Sequence, residues 1–151
     1  MYFDSEIAEF QVEVTDKEDA FKRLTEQLTE KNFITEDFLE HLIEREKDFP
    51  TGLAVKNMGV AIPHTDSEYV KRSQIAFMSL KNPITFFEMG TSDKPVEVQM
   101  IFMLALKEPH EQLEMLQKLI SMIQQQEIME QLYHCRTKKE FIQLIHQVGL
   151  A

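Results

Sequence analysis

The chain of 151 residues has one cysteine, no tryptophan, four glycines and five prolines. Cys135 alone can form no internal disulfide, and no CxxC pair is present to hold zinc. A reducing cytoplasm is therefore the expected compartment. Gly-x-Gly and GxxxxGK[ST] are both missing, which argues against a phosphate-cradling loop and a nucleotide substrate. Glycines and prolines all fall between Pro50 and Gly149, with no repeat and no low-complexity linker. One domain covering residues 1–151 is the simplest organisation. Positive charge is scarce: 16 Lys and Arg stand against 26 Asp and Glu, for a net charge of −10. Such a balance excludes a general nucleic-acid-binding role, which needs a basic footprint, and docking on anionic lipid. No apolar run approaches the roughly 18 residues that a membrane-spanning helix needs. Met1 to Glu6 lacks the basic stretch and apolar run of a secretory signal.

What the chain does have is an ordinary globular composition, 43% hydrophobic and 28% charged. Phe10, Val12 and Val14 alternate with polar residues, which predicts a strand with those three on one face. Thr15-Asp16-Lys17-Glu18 reads as a capping box that opens a helix carrying Phe21, Leu24 and Leu28. Thr35-Glu36-Asp37 starts a second helix, with Phe38, Leu39, Leu42 and Ile43 on an apolar arc of roughly 140°. Glu46 falls near the middle of that arc and Arg45 at its margin. Either the helix has ended by then or these residues serve a site. Phe49-Pro50-Thr51-Gly52 breaks the helix. Leu53-Ala54-Val55 and Val60-Ala61-Ile62 predict a small hairpin or two short strands. Ile75 to Leu80, bounded by Asn82-Pro83, predicts a buried strand. The continuous apolar run from Val96 to Leu106 predicts a strand covered on both faces. Glu108-Pro109 opens a long helix, with an apolar stripe of Leu113, Leu116, Leu119, Ile120 and Ile123. Helices over Glu127–Tyr133 and from the capping box Thr137-Lys138-Lys139-Glu140 complete the chain. The pattern implies an α/β or α+β sandwich with helices on both faces of the sheet.

Five histidines are available for chemistry. His41, His134 and His146 lie off the apolar stripes of predicted helices and read as surface residues. His64 ends an apolar run directly after Pro63, and a strand ending in a rigid X-Pro step aims the next side chain in a defined direction. That is a sound place for a nucleophile. A loop histidine without a role fits the same pattern. His64-Thr65-Asp66 supplies two metal ligands at most, and no HExxH or cysteine cluster completes a site. Cys135 reads as a half-buried packing thiol, and the methionines, among them Met100, Met103, Met115 and Met122, as core filler.

Arg45-Glu46, then Pro50-Thr51-Gly52, then Val60-Ala61-Ile62-Pro63-His64 together resemble the fructose/mannitol-type enzyme IIA domains of the bacterial phosphoenolpyruvate:sugar phosphotransferase system. Asp93-Lys94-Pro95-Val96 and Gln112-Leu113-Glu114-Met115-Leu116 extend the likeness over roughly Val12 to Ile145. The Arg45-Glu46 and Pro50-Thr51-Gly52 pattern and the length are most similar to the galactitol-specific branch. The resemblance implies a single mixed sheet flanked by helices on both faces, as in the mannitol enzyme IIA. It further implies a phosphoryl relay: a histidine accepts the group from the phosphocarrier HPr and passes it to a cysteine of a cognate enzyme IIB. The membrane component, enzyme IIC, selects the sugar, a hexitol such as galactitol for this branch. On that match His64 is the acceptor, through its Nε2 (tele) nitrogen, and Arg45 is the active-site arginine. Gln112 stands where many relatives have a second histidine, while His110 points roughly 160° away if that turn is helical. No cofactor or metal is called for.

Three functions are compatible with these residues. One is a cytoplasmic transport component. Another is a regulatory phosphoprotein of the same fold, signalling through protein contacts. The third, of a different class, is a metal-dependent hydrolase using His64 and Asp66.

Overall fold

A computed structural model describes residues 2–91 and 93–150. Its strands are β1 (Ala8–Val12), β2 (Gly52–Val55), β3 (Met58–Ala61), β4 (Gln74–Phe87) and β5 (Pro95–Ala105). Its helices are α1 (Lys17–Glu30), α2 (Phe38–Asp48), α3 (Pro109–Ile123), α4 (Gln126–His134) and α5 (Lys138–Gln147). The strands form one mixed sheet in the order β1-β4-β5-β3-β2. β1 lies parallel to β4, β4 antiparallel to β5, β5 parallel to β3, and β3 antiparallel to β2.

The apolar run of β5 is continuous because both of its faces are covered. Ile101, Met103 and Ala105 pack with Phe21, Leu24 and Leu28 of α1 and Phe38 and Leu42 of α2. Met100, Phe102 and Leu104 pack with Met115, Leu119, Met129, Phe141 and Ile145 of α3, α4 and α5. The layers are therefore helix, sheet, helix, as the sequence predicts.

Four local expectations need correction. Phe10, Val12 and Val14 do not share a face. Gln11 sits at a positive φ of 52°, and the β1–β4 register shifts between Glu9 and Val12. Such a bulge reverses the alternation. Phe10 thus packs toward α5, while Val12 and Val14 pack toward α1. The first helix is capped one residue later than the box Thr15–Glu18 implies: Asp16 accepts from the Asp19 N–H at 2.8 Å. Asn82-Pro83 does not end the fourth strand. β4 continues to Phe87 through an irregularity between Ser79 and Ile84, and a bulge tolerates a proline that a regular ladder would not.

The stripe predicted for α3 is also rotated. Met115, Leu119, Met122 and Ile123 are its buried residues, and Leu113 is 62% exposed. Met115 and Met122, core filler by the sequence reading, are buried there, at 2% and 3% exposure.

Candidate functional site

Parallel neighbours β3 and β5 end at the same edge of the sheet. The segment after β3 begins Ile62-Pro63-His64, and the segment after β5 leads into α3. Crevices outside the carboxyl ends of parallel strands are the usual place for sites in such sheets. Pro63 O accepts from the Leu104 N–H at 3.0 Å, and an isolated parallel bridge pairs His64 with Leu104. This continues the register in which Val60 faces Met100 and Ala61 faces Ile101. His64 is thus held by the sheet rather than carried on a free loop.

Its half-buried imidazole donates from Nδ1–H to the Ile62 carbonyl at 2.9 Å. A carbonyl can only accept, so this bond fixes the proton on Nδ1 and leaves a lone pair on Nε2. Burial pushes the His64 pKa below its usual 6.5, and the nearby Arg45 charge pushes it the same way. The Ile62 bond and Asp66 oppose them, but the net direction favours a neutral ring. Neutral imidazole with an open Nε2 is a nucleophile.

Arg45, whose charge acts on this ring, stands in the last turn of α2, which runs on to Asp48. Of the two readings of Arg45 and Glu46, an early end to the helix is therefore excluded. Arg45 Nη1 lies 3.7 Å from Asp66 Oδ1, and its guanidinium stacks over the Phe49 ring at 5.0 Å. Its Nε is buried with no hydrogen-bond partner among the described residues. A planar cation with an uncommitted donor beside a nucleophile is suited to an anionic group.

Gln112 stands in the first turn of α3, half-buried, and its Nε2 donates to the Thr65 carbonyl at 3.1 Å. It ties the start of α3 to the residue after His64. His110 is exposed, so it does not take the place of a second inward histidine. His134 and His146 are exposed, and His41 is stacked on Tyr69 with ring centroids 3.9 Å apart. Cys135 is buried and its thiol is pushed up, mainly by burial.

Glu46 stands out in the sequence, but its partner does not. Its carboxylate, 4% exposed, accepts from the Thr51 N–H at 2.8 Å and from the Thr51 hydroxyl at 2.9 Å. A charged residue in the middle of an apolar arc was the available signal. The Asp66 carboxylate, one of the two metal ligands that His64-Thr65-Asp66 could supply, faces Arg45 instead. Among the described residues no three of His, Cys, Asp or Glu converge on a metal position.

The chain matches the family model described as "Phosphoenolpyruvate-dependent sugar phosphotransferase system, EIIA 2" over residues 1–148. It is 27% identical over 121 residues to the galactitol-specific EIIA component of Escherichia coli K12, covering 80% of each chain. It is 35% identical over 100 residues, 66% of its length, to the transcriptional regulator ManR of Bacillus subtilis, of which it spans 14%. Two solved structures share its fold. A PTS IIA (PtxA) of Streptococcus mutans superposes with a TM-score of 0.81 at 22% identity, covering 97% of this chain and 92% of that one. The enzyme IIA of E. coli mannitol transport, solved in complex with phosphorylated enzyme IIB, gives 0.75 at 20% identity, with 95% and 96% covered.

Proposed function

The chain belongs to the EIIA type 2 family of the phosphoenolpyruvate-dependent sugar phosphotransferase system, and on that premise we propose that it is a cytoplasmic phosphoryl carrier working through His64. The group arrives on a histidine of HPr and leaves on a cysteine of a cognate enzyme IIB, which serves an enzyme IIC in the membrane. The likeness to a galactitol-specific component supports a hexitol such as galactitol as the sugar. The carrier itself does not touch the sugar.

The Nδ1–H bond to Ile62 carries this reading. The lone pair of His64 Nε2 attacks phosphorus in line as the donor's N–P bond breaks, and that electron pair returns to the donor imidazole. Positive charge then develops on the His64 ring. The Nδ1–H donor becomes more acidic, so its bond to the Ile62 carbonyl strengthens as the reaction proceeds. Arg45 offers its guanidinium to the phosphoryl oxygens, exchanging its contact with exposed Asp66 for them. Gln112 can donate a hydrogen bond but adds no charge. Phosphoryl transfer needs positioning and charge stabilisation more than covalent machinery, and this constellation supplies both. In the second half-reaction a cysteine thiolate attacks phosphorus, the S–P bond forms, the N–P bond breaks, and the pair returns to Nε2.

Incubation with enzyme I, HPr and phosphoenolpyruvate, followed by intact-mass measurement, tests the assignment. The protein should gain one phosphoryl group, labile in acid and stable in base as a P–N bond is. His64→Ala should fold and gain none, and His110→Ala should still gain it. Labelling of His64→Ala would overturn the assignment.

The likeness to ManR favours a second reading, in which the phosphorylated state is signalled to a regulatory partner. Passage of the group to an enzyme IIB cysteine distinguishes them. A carrier transfers it rapidly, whereas a purely regulatory phosphoprotein does not.

A further inference from the structure

We propose that Glu46 is a positioning residue that fixes which nitrogen of His64 can react, acting through Thr51 and the Ile62 peptide. The inference rests on His64 as the acceptor.

Pro50 has no N–H, and Thr51 follows it with two donors, the backbone N–H and the hydroxyl, both turned inward on a residue only 3% exposed. Buried donors of this kind need acceptors. Both go to Glu46, one to each carboxylate oxygen. Its two oxygens thereby pin residue 51.

Thr51 then passes the constraint on. Its carbonyl accepts from the Ile62 N–H at 3.2 Å, one step past the last β2–β3 pair, Gly52 with Ala61. The next carbonyl along, that of Ile62, holds His64 Nδ1–H. Pro63 O is held on the other side by the Leu104 N–H. The Ile62-Pro63 segment is therefore suspended between two anchors. Leu104 belongs to the central strand and is rigid. Thr51 belongs to the outermost hairpin and owes its place to Glu46.

Removing the carboxylate leaves two buried donors on Thr51 without acceptors. The turn must shift to satisfy them, and the Ile62 carbonyl shifts with it. Nδ1–H then loses its acceptor, and the tautomer with the proton on Nε2 becomes populated. That tautomer has no lone pair on Nε2 and cannot attack phosphorus there.

The test reads the tautomer directly, by nitrogen-15 NMR of the His64 ring, beside the rate of phosphoryl transfer from HPr. Wild type should show the Nδ1–H form alone. Glu46→Leu fills the volume on an apolar helix face and should fold, with both tautomers visible and transfer slowed roughly 10–100-fold. Glu46→Gln should restore both readouts, since its amide oxygen accepts from the Thr51 N–H and its amide N–H donates to the Thr51 hydroxyl. Glu46→Ala, made in parallel, should behave as Glu46→Leu does. A folded Glu46→Leu or Glu46→Ala with a single Nδ1–H tautomer and wild-type transfer would overturn the proposal. The spectrum does not depend on phosphorylation. Failure of His64 as the acceptor would abolish only the transfer readout, so the two failures are distinguishable.

Discussion

Arg45 is held lightly. Its contact with Asp66 is 3.7 Å long, and the Asp66 side chain is 67% exposed, so the pair adds little to stability. Arg45→Ala should keep a near-wild-type melting temperature while slowing transfer from HPr roughly 10–100-fold, the loss of one charge-assisted contact made in the transition state. Stopped-flow transfer beside thermal melts checks both halves. Glu46 predicts a different signature. Burial pushes its carboxyl up to about 7, against an ordinary 4.5, outweighing the Thr51 bonds and the charges of Lys17 and Arg45. Between those values the folded protein binds more protons than the unfolded chain. This contribution to stability is fully present below pH 4.5 and is lost as pH rises through about 7, up to roughly 3 kcal/mol. His64, depressed rather than raised, works in the opposite sense and is common to both proteins. Thermal melts of Glu46→Gln should therefore decline less than wild type from about pH 5 to about pH 8. Parallel curves would show that Glu46 does not titrate there. His64, Arg45 and Gln112 could be picked out from the sequence because a family pattern marks them. The acceptors of Thr51 could not, since a backbone N–H leaves no trace in a sequence.

At the scale of elements, periodicity found the helices and the two long strands because most of their faces are set by burial. It failed wherever one residue breaks the period. Gln11 adds one residue to β1 and turns Phe10 away from Val12. Pro83 reads as a stop but occupies an irregularity within β4. The small β2–β3 hairpin was legible only as an alternative, because four-residue strands carry little periodicity. One of its two glycines, Gly59, has a clear steric reason. A Cβ at Gly59 would stand 2.0 Å from the Glu97 carbonyl oxygen, backbone that cannot yield. Gly59→Ala should therefore separate β3 from β5 and destabilise by more than the ~1–3 kcal/mol typical of overpacking. A denaturant melt with a midpoint near wild type would contradict that close approach.

Across the whole molecule, the site edge carries two large exposed apolar side chains, Phe49 at 61% and Leu113 at 62%. Phe49 lies beneath Arg45, and Leu113 follows Gln112. Exposed apolar residues next to a reacting group mark a surface that partners cover. Leu113→Ala should raise the concentration of HPr needed for half-maximal transfer by roughly 5–30-fold, the ~1–2 kcal/mol of one interface anchor. Its melting temperature should not change. Rates measured against HPr concentration check this. No helix among the described residues is long and apolar enough to cross a membrane.

The order β1-β4-β5-β3-β2 also dictates a sequence of events in time. β4 and β5 join through the short connection 88–94, so their ladder closes with little loss of chain entropy. β1 must find β4 across most of the first half of the chain, and His64 must find Leu104 across the forty residues from 64 to 104. Pairings this distant in sequence are the slow ones. The central ladder is therefore expected to form first, with the candidate site added late. Destabilising changes at Gly59 or Thr51 should speed unfolding and leave the folding rate nearly untouched, whereas truncating Phe77 or Phe102 should slow folding. Refolding and unfolding arms recorded for the two sets of variants would separate them. Late assembly allows the site to loosen and re-form while the β4–β5 ladder stays closed.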